Sequence, residues 1–234
     1  MIGGALALVL PLFPFLDFIF TPLITIVHEL GHTVVNWGFG YPAYPAFDFS
    51  HGGGVTVSHV QRSPLIVVLW FIGLAGLAAR WWPRLPLVAA ALGVALVYAG
   101  LLVSVRAERT LIAASGHAFE LLLAAVFLYR GAAGVGCRGA ERAAYAFAGL
   151  WIAFHDAAFG WTLATQAYAR ALYEEGKRGI DPDLVTTARY ARTSLARVAG
   201  GFTTASILTP AITLLLAHGH EKNRERWDRI REAL

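Results

Sequence analysis

Cysteine is nearly missing from this chain: Cys137 stands alone among 234 residues. A lone cysteine excludes an intrachain disulfide and any C-x-x-C redox chemistry. Charge is scarce too. Only 15% of residues are Asp, Glu, Lys or Arg, against about 25% in a typical soluble domain. Hydrophobic residues make up 57% and the mean hydropathy is +0.57. The chain contains no G-x-S-x-G nucleophile elbow, which sets aside the lipase reading that His51-Gly52-Gly53-Gly54 would otherwise invite. It has no H-x-x-H-H cluster, no internal repeat and no nucleic-acid motif. The N-terminus lacks the basic n-region and small-residue cleavage site of a signal peptide, so residues 1–27 read as membrane structure.

What is present is long apolar sequence. The expectation is an all-α polytopic membrane protein of about six transmembrane helices, with a short β-hairpin after the second helix. One membrane domain would cover 1–220, followed by a basic tail over 221–234. The spans fall in the first run, 2–38, and near 64–80, 85–104, 109–130, 141–169 and 198–217. Pro11, Pro14 and Pro22 interrupt the first run. Thr21-Pro22 fits a cap followed by proline at the first helical position, which predicts a break and a helix over 21–38. Region 39–62 reads as hairpin: Phe47-Asp48-Phe49 and Val55-Thr56-Val57 alternate with period two around the glycines. Trp81 and Trp82, flanked by Arg80 and Arg84, suit an interface anchor. The net charge of +4 implies attraction to anionic lipid headgroups, not nucleic acid. Loop Lys and Arg divide almost evenly between the two sides, so the positive-inside rule leaves the orientation open; the strongest local cluster, Lys222, Arg224, Arg226, Arg229 and Arg231, favours a cytoplasmic tail. An integral, multi-pass protein of the inner or plasma membrane is the expected localisation.

Within the first run lies His28-Glu29-Leu30-Gly31-His32. With 8 His in the chain, an H-E-x-x-H arises by chance on the order of once in a hundred such sequences. On a helix, positions i and i+4 share a face, so His28 and His32 can grip one metal ion. Glu29 points about 100° away, where a carboxylate can take a proton from a metal-bound water. Ionisable groups are costly in hydrocarbon and need a partner or a task. Catalytic zinc takes a third protein ligand, and four places could supply it. His117 and Glu120 lie one helical turn apart in mid-span, and they are the favoured addition to His28 and His32. His155-Asp156, also mid-span, reads better as a helix–helix contact. Asp181 and Asp183 read better as helix-start carboxylates. His51 and His59 belong to the hairpin region. His218 and His220 belong to the tail, and Asp17 is an isolated carboxylate of the first run.

The H-E-x-x-H in an apolar helix, followed by Gly52-Gly53-Gly54-Val55-Thr56, resembles the site-2-protease family of intramembrane zinc metalloproteases. The resemblance covers about the first 60 residues. It implies Zn²⁺ on His28 and His32, Glu29 as the catalytic base, and a transmembrane protein as substrate. It also implies a third ligand, an aspartate from a later L-D-G motif. This chain has no such string. Asp183, in Asp181-Pro182-Asp183-Leu184, could stand in for it, as could Glu120. Two other classes compete. A metal-dependent lipid-modifying enzyme would use His28, His32, His117, Glu120 and His155. A transporter or scaffold with a retained metal site would use the buried ionisable groups as a proton relay.

Overall fold

The computed structural model describes residues 14–48, 53–82, 84–176 and 181–232. The architecture is mostly helical, with one small hairpin. In chain order the elements are α1 (Pro14–Gly38), β1 (Ala43–Phe47), β2 (Gly54–Ser58), α2 (Pro64–Arg80), α3 (Leu85–Val103), α4 (Val105–Ala133), α5 (Ala140–Thr165), α6 (Ala167–Glu174), α7 (Asp183–Ala191) and α8 (Leu195–Glu232).

The expected break at Thr21 does not occur. α1 begins at Pro14 and runs through Pro22. Pro22 removes one hydrogen bond from the helix interior, a cost the rest of the 25-residue helix absorbs. α1 ends as its sequence predicts. Gly40 adopts φ 87°, Tyr41 N–H reaches Asn36 O at 2.9 Å and Gly40 N–H reaches Trp37 O at 3.0 Å. That pair of bonds is a Schellman motif, which needs a left-handed residue where glycine sits. The hairpin follows, with Ala43 opposite Ser58 and Phe47 opposite Gly54. Its first strand lies four residues earlier than the expected 47–49, and it includes Pro45. A two-stranded sheet consists of edges only, and an edge tolerates proline.

Among the described residues, three helices are long and apolar enough to cross a membrane: α3, α4 and Leu195–His220 of α8. α2 is apolar but has 17 residues, about 26 Å against a hydrocarbon core of roughly 30 Å. The expected span at 141–169 divides into α5 and the short α6, and His155 with Asp156 makes the middle of α5 polar. The first run lies partly outside the described residues. Over the basic segment α8 continues as helix to Glu232.

α1, α4, α5 and α8 form the central bundle. Ile24, Ala124, Trp151, Ile152 and Ala153 make one core at the meeting of α1, α4 and α5. A second core joins Leu163 of α5, Leu184 and Ala188 of α7, and Leu195 and Ala199 of α8. This second core seats α7 against the bundle. α2 and α3 stand outside it. α2 buries no residue, and α3 buries only Val88 and Ala91. Their exposed leucines, valines and Trp70 suit a hydrocarbon neighbour better than water.

Candidate metal centre

The centre begins where α1 crosses α4. Gly31 lies so close to α4 that a Cβ there would sit 2.4 Å from Ser115 O and 2.5 Å from Phe119 Cβ. Small residues let helix backbones approach in this way. Opposite, a Cβ on Gly116 would sit 2.4 Å from His28 Nε2 and 2.6 Å from His32 Nε2. The two glycines together lay the imidazoles of α1 flat against α4.

Three ligating atoms then converge. His28 Nε2 and His32 Nε2 are 3.0 Å apart. Asp183 Oδ2 lies 2.7 Å from His28 Nε2 and 3.1 Å from His32 Nε2. The outer nitrogens are already committed. His28 Nδ1 donates to Glu120 Oε1 at 3.0 Å, and His32 Nδ1 donates to the Ile112 carbonyl at 2.8 Å. With the protons on Nδ1, each Nε2 presents a lone pair to the other and to a carboxylate oxygen. Three electron-pair donors face one another at hydrogen-bond distance only with positive charge among them, either protons or a cation. Protons on the imidazoles would serve: burial alone would push the Asp183 carboxyl up, but hydrogen bonds from His28 and His32 outweigh it and hold it well below the usual carboxylate range.

A metal fits this set. Bonds of 2.0–2.1 Å in a tetrahedron separate ligand atoms by about 3.3 Å. The atoms of His28, His32 and Asp183, now 2.7, 3.0 and 3.1 Å apart, need spread by about 0.2 to 0.6 Å. Two imidazoles and a carboxylate are a zinc donor set, and a Nδ1–H held by a carboxylate or carbonyl is the usual support for a metal-bound histidine. The residues could hold a metal ion.

The expected ligand set changes accordingly. Glu120 does not face the point where the two Nε2 atoms meet. It stands behind His28, on Nδ1, and accepts from His117 Nδ1 at 2.8 Å through its other oxygen. Toward the His28–His32–Asp183 cluster it stands as the partner that orients His28. His117 remains a candidate ligand: one ligating atom each of His28, His117 and Asp183 lie within 4.8 Å of one another, a group that could hold a metal ion. Asp183 is both things the sequence allows. It opens α7 as a first-turn carboxylate, and packing of Leu184 and Ala188 aims its side chain at the histidines. Asp181 turns away to Arg189 at 2.6 Å, and that guanidinium holds its carboxyl below the ordinary range. Asp156 is buried behind Glu120, whereas His155 is 43% exposed. His59 is exposed. His51 and the side chain of Asp17 lie outside the described residues. His218 and His220 are exposed on α8.

Glu29 is gripped by the hairpin. Thr56 Oγ1 donates to Glu29 Oε2 at 2.6 Å and lies 3.0 Å from Glu29 O. Gly54 makes room for this carboxylate, because a Cβ there would sit 2.5 Å from Glu29 Cγ. A cavity of about 1040 Å³ opens onto the cluster, lined by His28, Glu29, His32, Thr56, His117 and Asp183 among others. Sequence reasoning missed Gly116, Thr56 and the Ile112 carbonyl. The small-residue run Ala113-Ala114-Ser115-Gly116 was a signal for close approach, and the Val-Thr-Val alternation was a signal for one inward side chain. A backbone carbonyl leaves none.

No family model, curated protein or solved structure matches the chain.

Proposed function

We propose that this protein is a zinc-dependent endopeptidase of the site-2-protease type, embedded in a cell membrane with several spans and cutting transmembrane or membrane-proximal protein segments. One observation carries the reading: two histidines one turn apart share a carboxylate contact with Asp183, and Glu29 stands next to them on the wall of the same cavity. His28, His32 and Asp183 are the ligands in this reading. They would hold the ion through two imidazoles and one carboxylate, the three-ligand donor set of catalytic zinc sites. A zinc ion there supplies Lewis acidity, lowering the pKa of water and polarising a carbonyl.

The rest is the work of side chains. Glu29 accepts a proton from water and returns it to the leaving amine. Thr56 holds the carboxylate in one orientation, so less of that ordering remains for the reaction itself. Glu120 keeps the His28 ring in register, and the Ile112 carbonyl does the same for His32. The cavity admits water to a centre flanked by apolar helices. A substrate helix must expose its carbonyls to react, and β1–β2, both of them edge strands, offer backbone partners to an unwound segment by strand addition.

The test is cleavage of a model transmembrane peptide by detergent-purified protein. Wild type cleaves it and binds one zinc per chain. Glu29→Gln keeps the zinc and loses cleavage. Equal rates for the two proteins would refute the assignment of Glu29.

A further inference from the structure

Behind the first centre is a second group of ligating atoms that this reading leaves unused. One atom each of His117, Glu120 and Asp156 lie within 4.8 Å of one another. All three are withdrawn from solvent, with Glu120 at 3% and Asp156 at 2% exposure. His117 Nδ1 and Glu120 Oε2 already face each other at 2.8 Å. Asp156 comes from a different helix, α5, and its Oδ2 is buried with no hydrogen-bond partner. The neighbouring imidazole of His155 approaches Oδ1 at 3.7 Å.

Two carboxylates side by side in a low-dielectric interior cannot both stay ionised without positive charge between them. An oxygen left without a donor costs about 1–3 kcal/mol, more when charged. A proton shared with Glu120 through one oxygen of Asp156 relieves the repulsion but leaves the other oxygen an acceptor without a donor. A divalent cation held by the three groups balances both charges and gives the Asp156 carboxylate the positive partner it lacks. The cavity is lined by His117 and Glu120, so an ion has a route in.

We propose that His117, Glu120 and Asp156 form a second divalent-cation site, adjacent to the His28–His32–Asp183 centre and joined to it through Glu120. An imidazole with two carboxylates is a harder donor set than two imidazoles with one carboxylate. It suits Mn²⁺ or Fe²⁺ as well as Zn²⁺. Glu120 links the two sites, because Oε1 holds His28 Nδ1 while Oε2 lies on the second group. Such a site goes beyond the proposed peptidase function and does not require it.

Metal stoichiometry tests this on the full chain in detergent. The protein is stripped with chelator, loaded with excess Zn²⁺ or Mn²⁺, desalted and analysed for metal per chain. Two ions in wild type, falling to one in Asp156→Asn and to one in Asp183→Asn, is the expected result. Glu120→Gln weakens both sites. One ion in wild type, lost in Asp183→Asn and kept in Asp156→Asn, overturns the second site and leaves the first reading intact. One ion lost only in Asp156→Asn supports the second site and removes the peptidase centre. No retained ion overturns both. Wild-type stoichiometry decides the matter even if Asp156→Asn fails to fold. A protonated-carboxyl infrared band in fully loaded wild type that vanishes in Asp156→Asn shows a proton there and equally overturns the site.

Discussion

Replacing Gly116 by alanine tests the proposed centre without touching any ligand. The added Cβ would lie 2.4 Å from His28 Nε2 and 2.6 Å from His32 Nε2. Ordinary contact needs roughly 3.4 Å or more, so the imidazoles must retreat by about 1 Å and 0.8 Å. Metal–ligand distances tolerate about 0.2 Å. Zinc binding of roughly 10–16 kcal/mol spread over four bonds gives about 3 kcal/mol per bond. Loss of a single histidine bond therefore weakens zinc by about a hundredfold. The fold should survive, because the nearest atoms are side-chain ends and alanine in a helix interior is favoured over glycine by up to about 1 kcal/mol. The assay is competitive zinc titration against a chromophoric chelator, with thermal unfolding measured in parallel. Gly200→Ala is the control, since a Cβ there meets nothing within 4 Å. Zinc affinity in Gly116→Ala within about threefold of wild type would show that the histidines do not bind metal in this geometry.

Three further outcomes follow from the same contacts. Glu120→Gln keeps the shape behind His28 but removes the charge that its Nδ1 addresses, and zinc affinity should fall about 10–100-fold; an unchanged affinity in the same titration refutes the orienting role. Thr56→Val removes the hydroxyl 2.6 Å from Glu29 Oε2, and kcat should fall about tenfold with zinc content unchanged. Thr56→Ser should restore most of that loss, and a Thr56→Val enzyme with wild-type kcat would remove the hairpin from the reaction. Asp183→Asn should lose zinc on desalting while Asp181→Asn retains it, as read by elemental analysis; the reverse pattern would reassign the third ligand.

The hairpin and the helix ends were legible early because their causes are local. The helix stop ahead of Gly40 and the period-two run at Val55-Thr56-Val57 act over a few residues. Strand β1 was misplaced because pairing, not propensity, decides where a two-stranded ladder begins. The break at Thr21 was misjudged because a proline lowers the stability of a helix without dictating that it end.

The sequence by itself determined that the chain suits a membrane and that His28 and His32 share a helix face with Glu29 beside them. Composition sets the first, and a spacing of four residues on a 3.6-residue turn sets the second. Tertiary structure decided the third member of the cluster. Asp183 is 151 residues from His32 in sequence, and nothing local distinguishes it from Asp181, which pairs with Arg189 instead. The distinction lies in how Leu184 and Ala188 seat α7 against α5 and α8. Tertiary structure also set the role of Glu120. A carboxylate near a histidine can face either ring nitrogen, and only the crossing of α1 over α4 at Gly31 and Gly116 turns Nδ1 toward Glu120 and Nε2 toward Asp183.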